Sequence, residues 1–173
     1  MVAVQNNIII LTETDPRFTA QANLVAAGAV ATIAAGTPTK GADAAAASPW
    51  TGAVVPMVDG DGTTSQRFTG IAKNTSTDTA AAAGAVTLWL PLPGYVYAAK
   101  AKTSTTADTA AEVTALYGKR VVFDLTSSFW SVDAAAADAV VNNVIIVGGD
   151  YQTQTLYFMY NNKGTSIGFC ISA

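Results

Sequence analysis

The feature that most constrains this chain is its punctuation. Short runs rich in valine, isoleucine, threonine and aromatics recur along it, separated by glycine, proline, asparagine and aspartate. "GAVTLWLPL" is one such run, with Val86, Leu88 and Leu90 on one face and Thr87 and Trp89 on the other. Alternation with period two is the signature of a strand with one buried face. "NNIIILTET", "GAVATI", "TGAVVPMV", "SQRFTGIA", "KRVVFDLT", "NNVIIVGGD", "TQTLYFMY" and "TSIGFCIS" read the same way. Many short strands with turn chemistry between them predict an all-β fold, a compact barrel or sandwich. Pro56 lacks an N–H and marks its strand as an edge or bulged one.

Two Asp-Gly pairs at residues 59–62 predict a hairpin between the strands on either side, because both residue types tolerate positive φ. Pro93-Gly94 predicts a second hairpin, and "GGD" a third. One segment is helical. In "TADTAAEVTALYGKR", Thr109 stands three residues before Glu112, the capping-box spacing, and Gly118 falls where a C-terminal glycine belongs. The alanine patch after Asp133 reads as a loop or as a short helix starting at Asp133. The 173 residues are the length of a single β-rich domain spanning 1–173, with an N-terminal arm over residues 1–7.

The chain contains no histidine, which removes the commonest general base and the usual zinc ligand. Its acidic residues lie almost all beside small turn formers. Asp124, inside "VVFDL", is the exception, and alternation places it on the solvent side of its strand. Asp59 and Asp61 match the first two ligands of a calcium loop, but the third would be Thr63, and Gly70 occupies the position that needs a bidentate glutamate. No phosphate-binding glycine motif is present. The expectation is therefore no enzyme, no cofactor and no metal. With a net charge of −3 and basic residues clustered only at Lys100, Lys102, Lys119 and Arg120, no nucleic-acid partner is expected, and these four read as solvated strand-edge charges. Cys170 sits among apolar neighbours and reads as a buried thiol. The opening residues lack a basic signal region, and Ile8–Leu11 is too short to span a bilayer, so synthesis in a cytoplasm and no membrane partner are expected.

Only 12% of residues are charged, against about a quarter in ordinary domains. Half the residues are hydrophobic, many of them alanine. Such a surface points to a subunit that hides area against copies of itself or a larger partner. Candidate contact residues are the nearly uncharged arm, Met1, Val2, Ala3, Val4 and Gln5, together with Trp50. Trp50, Trp89 and Trp130 read as core or interface anchors, or as the lining of a sugar groove.

"RFTGIA", then a threonine- and alanine-rich stretch, then "VTLWLPLPGYVYAAKAKT" resembles the decoration, or auxiliary head, proteins of tailed bacteriophages. "LYGKRVVFDLTSSFWSVD" and "IIVGGD" extend the resemblance, and "GTPTKG" is similar to a stretch of some capsid cement proteins. Together these cover about Gly36 to Asp150, as patterns of turn and strand rather than as catalytic signatures. The resemblance implies a β-barrel or β-tulip domain on the outer surface of the virion capsid. It implies a homotrimer at three-fold positions that clamps the major capsid protein and catalyses nothing. The alternative, from another class, is a glycan- or receptor-binding head-fibre or tail module.

Overall fold

The computed structural model describes residues 8–11, 19–24, 32–41, 53–61, 68–77, 84–91, 94–142 and 144–160. Met1, Val2, Ala3, Val4, Gln5, Trp50 and Cys170 lie outside them. The protein is all-β with one short helix. The strands are β1 (Ile9–Ile10), β2 (Thr19–Leu24), β3 (Thr32–Ile33), β4 (Pro38–Gly41), β5 (Ala53–Pro56), β6 (Phe68–Ala72), β7 (Ser76–Thr77) and β8 (Ala85–Trp89). They continue with β9 (Tyr97–Ala101), β10 (Arg120–Thr126), β11 (Phe129–Asp133), β12 (Val144–Asp150) and β13 (Thr155–Tyr160), with the helix α1 (Ala110–Ala115) between β9 and β10.

The chain forms two compact units. The first holds Thr14–Met57 and Gln66–Pro91, and the second holds Met1–Glu13, Val58–Ser65 and Leu92–Thr165. In the first, β2, β5, β4, β6 and β8 form a closed barrel. Its β2–β5 pair is parallel and its other pairs are antiparallel. Ile33, Val54, Ala72, Val86 and Leu88 form its buried cluster. Pro56 is the last residue of β5, where its missing N–H does least harm to the ladder.

In the second unit, β9 pairs parallel with β11, β11 antiparallel with β10, β10 with β12 and β12 with β13. β13 then returns to β9, with Thr155 opposite Lys100 and Phe158 opposite Tyr97. The five strands therefore close on themselves. Aromatic rings fill the interior: Tyr97 stacks on Phe158 at 5.6 Å, and Phe123 meets Phe158 and Trp130 edge-on at 5.8 and 6.4 Å. Such geometries add to the area the rings bury.

The two units share one strand order. In each, taking the five ring strands in chain order, the first lies parallel to the third. The third pairs with the second, the second with the fourth, the fourth with the fifth, and the fifth with the first. The connections differ. The second and third strands are joined by residues 42–52 in the first unit and by Ser127 and Ser128 alone in the second. Those two serines have φ of 50° and 68°, the backbone of the tight hairpin turn usually made by Asn-Gly.

The Asp-Gly and Pro-Gly hairpins do not form. β5 and β6 flank β4 on opposite sides instead of pairing with each other, and β8 and β9 belong to different units. The turn Val58–Asp61 instead lies along β10. Gly60 N donates to Phe123 O, and Phe123 N donates to Asp61 O. β12 and β13 do form a hairpin, but Gly148, Gly149 and Asp150 belong to β12 and pair with β13, and residues 151–154 make the turn. The helix begins as its sequence requires: Thr109 accepts from Glu112 N, and Glu112 accepts from Thr109 N. Gly118, at φ 81°, ends the segment.

β6 bulges against β4 between Phe68 and Gly70. Thr39 Oγ1 donates to Gly70 O at 2.9 Å and lies 2.7 Å from the Thr69 hydroxyl, so the buried bulge keeps its polar atoms bonded. Gly70 has φ 149°, and a Cβ there would overlap the Trp89 carbonyl oxygen, which is backbone and cannot swing away. Gly70→Ala is expected to cost about 2–4 kcal/mol of stability, read as a lower urea midpoint with an unchanged denaturant slope.

Candidate interaction surface and the Lys102 cluster

On β10, Val121 and Phe123 point into the core, so Val122, Asp124 and Thr126 take the other face. That alternation predicts a solvated Asp124, but its side chain is only 2% exposed. The reason lies on the neighbouring strands. Lys102, directly after β9, reaches Asp124 Oδ1 at 2.7 Å and Asp133 Oδ2 at 3.1 Å. Asp124 Oδ2 accepts from the Thr126 and Ser131 hydroxyls at 2.7 and 3.2 Å. Ser131 sits opposite Asp124 across the β10–β11 ladder, so register alone brings the hydroxyl to the carboxylate.

Burial alone would raise the Asp124 pKa. The hydrogen bonds from Lys102, Thr126 and Ser131 outweigh it and hold the carboxyl below its ordinary value. The bonds to Asp124 and then Asp133 hold the Lys102 ammonium well above its own. The lysine is thus kept protonated and the carboxylate ionised with both oxygens occupied. The cluster ties the end of β9 to β10 and β11, and it presents neither a free base nor a free nucleophile.

The other basic residues expected at solvated edges are also tied down. Lys100 Nζ donates to Thr153 O, Lys119 Nζ to Ala134 O at 2.6 Å, and Arg120 Nε to Asp138 Oδ1 at 3.0 Å. Arg120 holds the Asp138 carboxyl below its usual range. The Asp59 and Asp61 carboxylates serve the backbone: Asp59 accepts from Leu125 N at 3.3 Å, and Asp61 from Val58 N at 2.8 Å. Among the described residues no group of three or more His, Cys, Asp or Glu is placed to hold a metal. No described helix is long and apolar enough to cross a membrane.

The second unit exposes large apolar side chains at several places: Tyr117 after α1, Val140 and Val141 before β12, Tyr151 in the β12–β13 turn, and a group of four on β10, β11 and the segments beside them. Leu11, Val58, Leu125 and Phe129 are 41%, 56%, 36% and 49% exposed. Topology puts them at one end of the ring. Leu11 N bonds to Val96 O just before β9, Phe129 opens β11, Leu125 lies near the end of β10, and Val58 belongs to the turn bonded along β10. β9 and β11 run parallel and β10 runs against them, so these positions coincide at the end where β9 and β11 begin. Sequence reading missed this rim because Leu125 alternates in step with the core residues Val121 and Phe123, and because the rim gathers residues distant in sequence. Of the tryptophans, Trp130 is buried and Trp89 lies under Lys73 Nζ, 4.5 Å from its ring centre.

No known protein family, curated protein or solved structure matches this chain.

Asp124 supplies stability that is complete above the ordinary carboxylate pKa of about 4 and is lost as pH falls through its lower folded value. Asp124→Asn is therefore expected to lower the urea midpoint at pH 7, by a difference that shrinks as pH is taken progressively below the ordinary carboxylate range. A midpoint difference independent of pH would show that the charge is not what stabilises this face.

Proposed function

We propose that this chain is a structural protein of a phage virion that self-associates and binds the outer surface of the capsid through the major capsid protein. The observation that carries this reading is the contrast in the second unit. Lys100, Lys102, Lys119, Arg120 and the buried Asp61 and Asp124 are committed to internal bonds, while Leu11, Val58, Leu125 and Phe129 stand exposed together at one end of the ring. Exposed apolar groups on a rigid frame suit contact with another protein surface, because burying them gains free energy without first ordering a loop. A low charge count and an alanine-rich sequence suit close approach of neighbouring subunits. The resemblance of "RFTGIA", "LYGKRVVFDLT" and "IIVGGD" to decoration proteins points the same way and supplies the partner.

Sedimentation with shells of the cognate major capsid protein tests the reading. The wild-type chain is expected to pellet with shells to a saturating stoichiometry. Phe129→Asp, at a half-exposed site on the rim, is expected to weaken that binding at least tenfold while leaving the thermal midpoint within a few degrees. Absence of co-sedimentation by the wild-type chain would overturn it.

A further inference from the structure

We propose that the edge of β2 at Ala20 and Gln21 is a strand-acceptor site of the first unit, filled by the run Ile167–Ile171 of the same chain. The two rings leave an edge open at the same place. In each, the first and third strands are parallel and meet over only two residue pairs. Lys100 and Ala101 face Ser131 and Val132 in the second unit, and Asn23 and Leu24 face Ala53 and Val54 in the first. Both contacts use the last two residues of the first strand. Its earlier residues are paired by the fifth strand along one side, β13 on Tyr97–Lys100 and β8 on Thr19–Asn23. Their other side still presents amides and carbonyls that need a partner.

In the second unit the chain supplies that partner itself. β1 lies antiparallel along β9, with Ile10 opposite Tyr97 and Ile9 opposite Ala98. It is a short, uncharged, apolar run that precedes every ring strand in the chain. In the first unit the same side of Thr19–Ala22 has no strand partner among the described residues, because β5 begins only at Ala53. Matching Asn23 to Lys100 at the parallel contact makes Ala20 and Gln21 the counterparts of Tyr97 and Ala98.

The run that suits this edge is "SIGFCIS", residues 166–172, which lies outside the described residues. It carries no charge, and Ile167, Phe169 and Ile171 alternate with Gly168, Cys170 and Ser172. It follows every ring strand, as β1 precedes them all. Ser166–Ala173 groups with the first unit, whereas Leu92–Thr165 before it groups with the second. The arrangement is therefore reciprocal: the strand ahead of both rings completes the later one, and the run behind both completes the earlier one. Strand addition of this kind gains main-chain bonds and places alternate side chains on the face they suit.

Amide exchange read residue by residue in the intact chain tests it. Successive amides of a strand point to opposite edges, so β8 alone protects every second amide of Thr19–Ala22, and a partner on both sides slows them all. All are expected to be slow in the wild-type chain. Alternate amides exchanging at the rates of a free edge would overturn the proposal. Phe169→Pro identifies the occupant, because proline donates no ladder bond. It is expected to speed those alternate amides at least about tenfold while β9 and β13 stay protected. Unchanged slow exchange in this variant would place another segment on the edge and overturn the assignment. Should the variant unfold the first unit, the native thiol decides. Ala20→Cys, Gln21→Cys and Ala22→Cys are each oxidised against Cys170, the one cysteine of the natural chain. At least one is expected to close a disulfide within the chain, and failure of all three would overturn the assignment.

Discussion

The return of β13 to β9 is the pairing on which the second unit depends. Without it, β9 and β13 would each show a row of unpaired amides and carbonyls, which invites sheet-to-sheet association. With it, Tyr97 and Phe158 are brought face to face, and the aromatic interior of Tyr97, Phe158, Phe123 and Trp130 is sealed. Closure matters more here than in a typical domain, because alanine supplies so much of the apolar composition and buries little area per residue. The few large side chains must therefore be concentrated inside a structure whose backbone bonds are largely complete.

Closure by short strands is imperfect, and the remaining gaps explain much of the rest. β11 leaves part of the β9 edge open, and β1 covers it. β12 pairs with β10 only at Arg120 and Val121, and the Val58–Asp61 turn covers the same strand further along, with Asp59 capping Leu125 N. On the outer face, Lys102 and two hydroxyls cover Asp124. Each is a local answer to one requirement, that a polar group withdrawn from water keeps a partner. The shared strand order of the two units shows that the same solution to closure is used twice in one chain, with different connections.

Sequence reading succeeds here where the determinant is local. The Thr109–Glu112 box fixes the start of α1 and Gly118 closes the turn after it, because each depends on residues within a few positions. It fails where partner choice is distant. Asp59-Gly60 has every local mark of a hairpin turn, yet its bonds go to Phe123 and Leu125, more than 60 residues away. The hairpin at Ser127-Ser128 carries no Asn or Gly to announce it. Alternation puts Asp124 on the face of β10 opposite Phe123, but it cannot say that a lysine from beyond β9 covers that face. Leu125 shares its face with the buried Phe123 and is exposed by its place at the end of the ring, whereas Phe129, opposite Thr126, stands on the outer face. The candidate contact residues Met1, Val2, Ala3, Val4, Gln5 and Trp50 fall outside the described residues.

Amide hydrogen exchange across β9 and β13 tests the closure most directly. Closure predicts that the paired amides of Tyr97–Lys100 and Thr155–Phe158 exchange as slowly as those between β12 and β13, through the same cooperative opening. Exchange of the β9 amides at rates typical of a free strand edge, with β12 and β13 still protected, would contradict it.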